Sequence, residues 1–197
     1  GNDKEAEANV ALLERLVPHL DEGKPANLLE LDEDDTKRLH SFCLLSAKPM
    51  LYACNVKEDE LSDTSSNPHV ANLKSWASTQ QDAGSCIISA RMEEELSELA
   101  EGDVAEYLEA IGVSDSGVST LIQSTYDLLG LASFLTAGEK EARAWTITNG
   151  ATAPQAAGVI HTDFQRGFIR AETISYDDYI ACKGEAGAKD AGKFRVE

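Results

Sequence analysis

The 197-residue chain carries 17 Lys+Arg against 35 Asp+Glu, a formal net charge of −18, with 42% hydrophobic and 26% charged residues. That length supports one to two domains with cores of their own, and the apolar and charged fractions are those of a soluble globular protein. The longest apolar runs are only a few residues, which excludes a helical membrane span, and the first residues, Gly1 to Glu7, have neither the basic start nor the apolar middle of a signal peptide.

In chain order, Ala6, Val10, Leu13, Val17 and Leu20 recur at spacings of four and three, the seam of a heptad helix with polar residues between. Two heptads are marginal alone, so this helix is expected to need a partner, and the chain reads as entering a two-helix arm part-way. Pro18 is expected to strain the last turn, and Gly23-Lys24-Pro25 ends the element. Asp32 is a cap for a second helix that sets Leu39, Phe42 and Cys43 on one face. After Pro49, the unbroken apolar run Met50 to Cys54 predicts a central parallel strand, buried on both faces. It stops on Asn55, and a charged cluster follows.

Residues 61–68 read as a polar loop, with Asn67 capping a helix and Pro68 at its first position. Val70, Leu73 and Ala77 are its inner face, with Trp76 alongside. A second buried strand, Ser85 to Ile88, runs into Ser89-Ala90-Arg91, and helices are predicted over Met92–Glu101, Asp103–Ala110 and Gly117–Leu129. This alternation is that of a βαβ sheet half, hence an α/β class. From Gly130 the character changes. Residues 131–136 and 142–147 predict a hairpin around Gly138, residues 154–159 a short helix, residues 167–171 a strand and residues 175–180 a helical turn. Arg195-Val196-Glu197 reads as the start of a further strand, so this small α+β module, of β-grasp type, is expected to be unfinished.

The four cysteines, Cys43, Cys54, Cys86 and Cys182, form no CxxC pair, and three sit in apolar runs. Buried thiols in a reducing cytosol account for them better than a metal site, and the scattered His19, His40, His69 and His161 offer no ligand spacing. No metal ligand is assigned. The charge divides unevenly: residues 1–130 hold 9 Lys+Arg against 26 Asp+Glu, whereas residues 131–197 hold 8 against 9. The acidic part either repels phosphate backbones or simply solvates helices, and only the last third can face RNA without that repulsion.

Several long runs, in order, carry a resemblance. They are Leu12 to Leu20 with Glu22 to Pro25, Ala47 to Tyr52, Gly138 to Ile147, Ala153 to Phe164, and Gly167 to Glu172. Together they make the chain similar to the YchF family of Obg-related P-loop NTPases over essentially its whole length. The resemblance implies three parts: residues 1–46 as the second part of a helical coiled-coil insert, residues 47–130 as the C-terminal part of a Ras-like nucleotide-binding domain, and residues 131–197 as a TGS domain of β-grasp fold short of its last strands. It also implies a cytoplasmic, ribosome-associated ATPase, with GTP as a second nucleotide and Mg²⁺ as cofactor, expected to be a monomer. No G-x-x-x-x-G-K-[ST] run occurs in these 197 residues, so this chain alone is expected to be inactive. The family's proposed catalytic His has no match among the four here, and no catalytic residue is assigned.

Two base-side elements carry over by resemblance. Asn55-Val56-Lys57-Glu58 stands where GTPases have Asn-Lys-x-Asp, and Ser89-Ala90-Arg91 where they have Ser-Ala-Lys. The candidate base-binding residues are therefore Asn55, Val56, Glu58, Ser89 and Ala90, the last two acting through backbone N–H groups. Val56 keeps apolar packing without a cation, and Glu58 extends the carboxylate by one bond, ~1.5 Å. Guanine offers a carboxylate two donors, while adenine pairs with Asn through N6 and N7, so the variant loop is expected to accept ATP. On the residues alone, Asn55 also fits a turn cap and Glu58 a solvated acidic turn. Arg143, Arg166, Arg170 and Lys183 are candidates for an RNA-facing surface, with alternating surface charge as the other reading.

Overall fold

The computed structural model describes residues 4–80, 82–100 and 102–196. Residues up to Gly130 form one compact unit and those from Leu131 a second. In the first unit, helix α1 (Lys4–Asp21) buries Leu12 and Leu16, each 1% exposed, against Ala26 and Leu39, with Leu20, Leu29 and Phe42 around them. A spacing of four places the two leucines one above the other on one helix face. The heptad seam predicted for α1 is not that face: Val10, Leu13 and Val17 are 55%, 41% and 51% exposed. The helix carries two apolar stripes, and the denser heptad pattern concealed the one that packs here. Gly23, at φ +77°, closes the helix as predicted.

Helix α2 (Glu33–Ser41) is capped by Asp32, whose carboxylate accepts from Asp35 N–H at 2.8 Å. Asp35 then receives both Arg15 of α1, at 2.9 Å, and Arg38, at 3.0 Å. Leu39 is buried, but Cys43 lies beyond the helix end at φ +55° and is exposed, so it leaves the predicted inner face. Among the cysteines, Cys54 and Cys86 are buried and Cys182 partly so.

Strand β1 (Met50–Asn55), helix α3 (Pro68–Ala77) and strand β2 (Ala83–Ile88) form the predicted βαβ unit. The strands pair in parallel from Met50↔Ala83 to Asn55↔Ile88. The Asn67 side chain caps α3 by accepting from His69 and Val70 N–H at 3.1 and 3.4 Å, and Pro68 sits in its first turn. β1 is less buried than its composition predicts: Cys54 is enclosed, while Met50, Ala53 and Asn55 are exposed. Among the described residues β2 is its only strand neighbour, so one edge and part of each face stay open. Tyr52 meets Trp76 of α3 edge to face, with ring centroids 5.2 Å apart.

Helix α4 (Ala90–Glu98) begins two residues before the predicted start, directly after the buried Ser89; Glu101, the predicted end, lies outside the described residues. Helix α5 (Val104–Ala110) packs Leu108 and Tyr107 against Met92 and Leu96 of α4. Helix α6 (Gly117–Leu128) starts against the end of β2. A Cβ on Gly117 would lie 3.3 Å from the Cα of Ile88, so glycine permits that approach, and its N–H donates to Glu93 Oε1 at 2.6 Å.

In the second unit, β3 (Leu131–Ala137) and β4 (Ala142–Thr148) form the predicted hairpin, paired from Leu131↔Thr148 to Ala137↔Ala142. Helix α7 (Ala153–Ile160) is capped reciprocally by Thr152 and Gln155. Helix α8 (Thr162–Arg166) follows at once and was not predicted. Nor does the predicted strand over 167–171 form. Ile169 is 90% exposed, and the pairing falls instead on β5 (Glu172–Thr173) with β6 (Arg195–Val196), antiparallel. Helix α9 (Tyr176–Ala181), capped by Ser175, leads to an unpredicted helix α10 (Glu185–Asp190). That turn depends on Gly187, since the Cys182 carbonyl occupies the place a Cβ would take. β6 begins where a further strand was predicted, and Glu197 lies outside the described residues.

The two stripes of α1 are separable by mutation. Leu16→Ala should cost about 2–5 kcal/mol in denaturant unfolding, whereas Val17→Ala should cost about 1 kcal/mol or less. Equal losses would show that the buried face has been misplaced.

Candidate functional site

The parallel register brings the carboxyl ends of β1 and β2 side by side, and the site is built where their exit loops meet. Asn55, the last residue of β1, turns its Oδ1 across to accept the Ala90 N–H at 2.9 Å. Val56 N–H continues the ladder to the Ile88 carbonyl at 2.9 Å, which leaves its side chain only 9% exposed. Ser89, 1% exposed, is the single residue between β2 and α4. Asn55, Val56, Ser89 and Ala90 thus come from two distant stretches of sequence into one junction.

Glu58 begins a tight helical turn, Glu58–Glu60, on the rim of an open cleft of about 830 Å³. Asn55, Val56, Glu58 and Ser89 line this cleft, as do Arg91 and Ile111. Ala90 supplies its N–H to Asn55 instead of a wall to the cleft. This changes what the amide offers. With one Oδ1 lone pair engaged, the amide has Nδ2 and the second Oδ1 lone pair left for a ligand.

The acidic turn is ordered by hydrogen bonds that sequence reading missed. Glu60 accepts the Lys57 N–H at 3.2 Å through Oε2 and the Asn67 amide at 3.1 Å through Oε1. One carboxylate therefore ties the exit loop of β1 to the cap of α3. Tyr107 of α5 was missed too. Its hydroxyl donates to Glu95 Oε2 at 2.8 Å and lies 3.3 Å from Glu58 Oε1. The Glu95 hydrogen bond is the largest influence on the phenol and burial the next, and together with both carboxylates they push its pKa up to about 12. The same hydrogen bond, aided by Arg91 at 3.1 Å, lowers that of Glu95. Tyr107 and Glu58 are 49 residues apart, and no local spacing announces such a pair.

The four candidate RNA-facing residues lie in the second unit, on separate elements and connections. Arg143 is on β4, with its guanidinium 4.1 Å over the Trp145 ring and 4.0 Å from Glu141. Arg166 ends α8, Arg170 precedes β5 and Lys183 follows α9 at φ +60°; all four are exposed.

A parallel strand pair whose exit loops meet over an open cleft defines an α/β protein with a candidate site at the carboxyl edge of its sheet. Similarity to known proteins narrows that class. The YchF-GTPase_C family, described as a protein of unknown function (DUF933), matches residues 131–197. The ribosome-binding ATPase YchF of Bacillus subtilis (strain 168) is 44% identical over 195 residues, spanning 99% of this chain and 53% of that protein. Its counterpart from Escherichia coli O157:H7 is 41% identical over 199 residues, spanning 100% and 53%. The solved structure of the Schizosaccharomyces pombe YchF GTPase superposes with a TM-score of 0.75 at 30% identity, over 98% of this chain and 51% of that one. The chain belongs to the YchF family, and it spans about half the length of the curated relatives it matches. No described helix is long and apolar enough to cross a membrane.

The Tyr107 contact has a consequence in alkaline solution. Because its folded pKa lies above the ordinary value of 10.0, the bonded phenol stabilises the fold fully below that value and ceases to do so as pH rises through about 12. An absorbance titration of tyrosinate should show a late component that Tyr107→Phe removes. Ionisation of Tyr107 together with ordinary exposed tyrosines would refute the contact.

Proposed function

We propose that this chain is the base-binding and C-terminal portion of a ribosome-associated ATPase, and that the cleft at the end of β1 reads the nucleobase. The observation that carries this reading is the bond from Ala90 N–H to Asn55 Oδ1. It holds the amide at the mouth of the cleft with Nδ2 free to donate, and every purine nucleotide presents N7 as an acceptor. Val56 supplies an apolar surface for a ring face. Glu58 supplies an acceptor for an exocyclic amine, and Ser89 shapes the floor. On this reading residues 47–130 are the later part of a Ras-like nucleotide domain, residues 1–46 part of its helical insert, and residues 131–197 a TGS module of β-grasp type. The protein is then cytoplasmic, with ATP preferred and GTP a second substrate.

Binding of the phosphates, and the attack of water on the terminal one, would fall to a P-loop, a motif these 197 residues do not contain. Mg²⁺ would sit with those phosphates. The cleft does not fit as its site, since Glu60 is committed to Lys57 and Asn67, and among the described residues no three His, Cys, Asp or Glu side chains converge to hold a metal ion. The 197 residues alone are accordingly proposed to be inactive in hydrolysis. Ribosome association is proposed from the names of the relatives, which are ribosome-binding ATPases.

A second reading makes the chain a binding module that docks on ribosomal RNA without chemistry. It is favoured by the near-balanced charge of residues 131–197 and by the exposure of Arg143, Arg166, Arg170 and Lys183. Replacing all four by Ala should weaken co-sedimentation of the 197-residue chain with ribosomes, most visibly at low salt. Unchanged co-sedimentation would remove this surface from consideration.

The base-reading proposal is tested by restoring the guanine-type loop. In a full-length YchF protein carrying these residues, Val56→Lys with Glu58→Asp should tighten GTP binding roughly tenfold relative to ATP, the worth of one charge-assisted hydrogen bond. Calorimetric titration showing no relative gain for GTP would reject the assignment of this loop.

A further inference from the structure

Glu58 does not face the cleft with its whole carboxylate. Its Oε1 lies 3.3 Å from the Tyr107 hydroxyl, which also donates to Glu95 at 2.8 Å. The phenol has one proton and stands between two carboxylates. Glu95 is additionally paired with Arg91 at 3.1 Å, so its charge is partly compensated. Tyr107 itself is fixed from behind, because its ring packs among Met92, Leu96 and Leu108 where α4 and α5 meet. The hydroxyl is therefore a rigid point, while Glu58 belongs to a short turn.

We propose that Tyr107 is a positioning residue for nucleobase choice: its hydroxyl, sharing one proton between Glu95 and Glu58, holds Glu58 Oε1 against α5 and leaves Oε2 for the ligand. This inference rests on the reading of the cleft as a base site. Its chemistry follows from counting donors. Guanine presents N1–H and the N2 amine together, and a carboxylate satisfies both only by turning both oxygens to the base edge. Adenine presents a single exocyclic amine, which one oxygen satisfies. Asn55 does not discriminate, since its free Nδ2 meets an N7 that both purines share. Preference then depends on how many oxygens of Glu58 are available, and the Tyr107 hydroxyl sets that number. A guanine bound against the parked carboxylate would forfeit the hydrogen bond from one of its two donors, where adenine forfeits none.

Two variants in a full-length YchF protein carrying these residues should move the preference in opposite directions. Tyr107→Phe keeps the ring in its apolar seat and releases Glu58, so the Kd for GTP should fall roughly tenfold while that for ATP changes less than about twofold. Glu95→Gln weakens the competitor for the phenolic proton, passes that proton toward Glu58 and strengthens the parking, so the preference for ATP over GTP should widen. A residue acting only as packing would shift both nucleotides together in both variants. A GTP-to-ATP ratio unmoved by Tyr107→Phe, or moved the same way by the two variants, overturns the inference. Asn55→Ala serves to separate the two levels. Weakened binding of both nucleotides in that variant leaves the base site standing, so that a failed ratio counts against Tyr107 alone. Unweakened binding of both overturns the base site and the inference with it.

Discussion

The bond between Ala90 N–H and Asn55 Oδ1 is the interaction on which the first unit's cleft depends. It spans 35 residues of sequence and exists only because β1 and β2 pair in parallel with Asn55 opposite Ile88. In an antiparallel pair the two exit loops would leave at opposite ends, and no junction could form. The register is in turn secured by what lies behind it. Cys54, Val56 and Val70 form a small core with Leu73 and Ile87, and Gly117 lets α6 close onto the end of β2. A side-chain amide satisfies a backbone donor at the start of α4, where helix geometry leaves the first N–H groups without partners. The same contact that caps α4 locally therefore orients the amide that faces the cleft.

Around this junction three glutamates of similar composition have different fates, decided by their nearest donors. Glu60 meets a backbone N–H and the Asn67 amide and becomes a brace between loop and helix. Glu95 meets Tyr107 and Arg91, and its affinity for protons falls. Glu58 has the longer contact to the same phenol and lines the cleft. For an exposed pair such as Arg91 and Glu95, attraction is screened and contributes little stability. Its effect is geometric: it holds Glu95 where it competes for a proton that Glu58 can also accept.

Much of the local structure was legible because it is locally determined. Asp32 and Asn67 cap helices through side-chain contacts within three residues, and the hairpin around Gly138 follows from alternation and a turn. The parallel pairing of β1 and β2 was also legible, since two apolar runs flanking a capped helix have few other arrangements. Where the reading failed, a distant partner decided the outcome. Leu12 and Leu16 were overlooked in favour of a heptad of which Val10, Leu13 and Val17 are exposed and only Leu20 reaches the core, because periodicity reports an apolar stripe but not what covers it. Residues 167–171 have strand composition, yet β6 pairs with Glu172 and Thr173 instead. Helix α10 was missed since Gly187, a poor helix former, is required there by the Cys182 carbonyl.

The candidate site divides along the same line. Asn55, Val56, Glu58, Ser89 and Ala90 were nominated by resemblance to the base-side loops of GTPases; the fold brings Asn55, Val56, Ser89 and Ala90 to one junction and sets Glu58 on the rim of the adjoining cleft. The members that tune it, Tyr107 and Glu60, were invisible: one lies on another helix, and the other resembles any surface glutamate. The occupied Oδ1 of Asn55 shows why this matters. An Asn read from sequence has its amide donors and both carbonyl lone pairs to spend on a ligand, whereas the folded Asn55 has already given one lone pair to the Ala90 N–H. A motif therefore identifies where a base would be read, but the bonding left over after folding decides which base. On the proposed reading of this cleft, the deciding group becomes the carboxylate of Glu58, together with whatever restrains it.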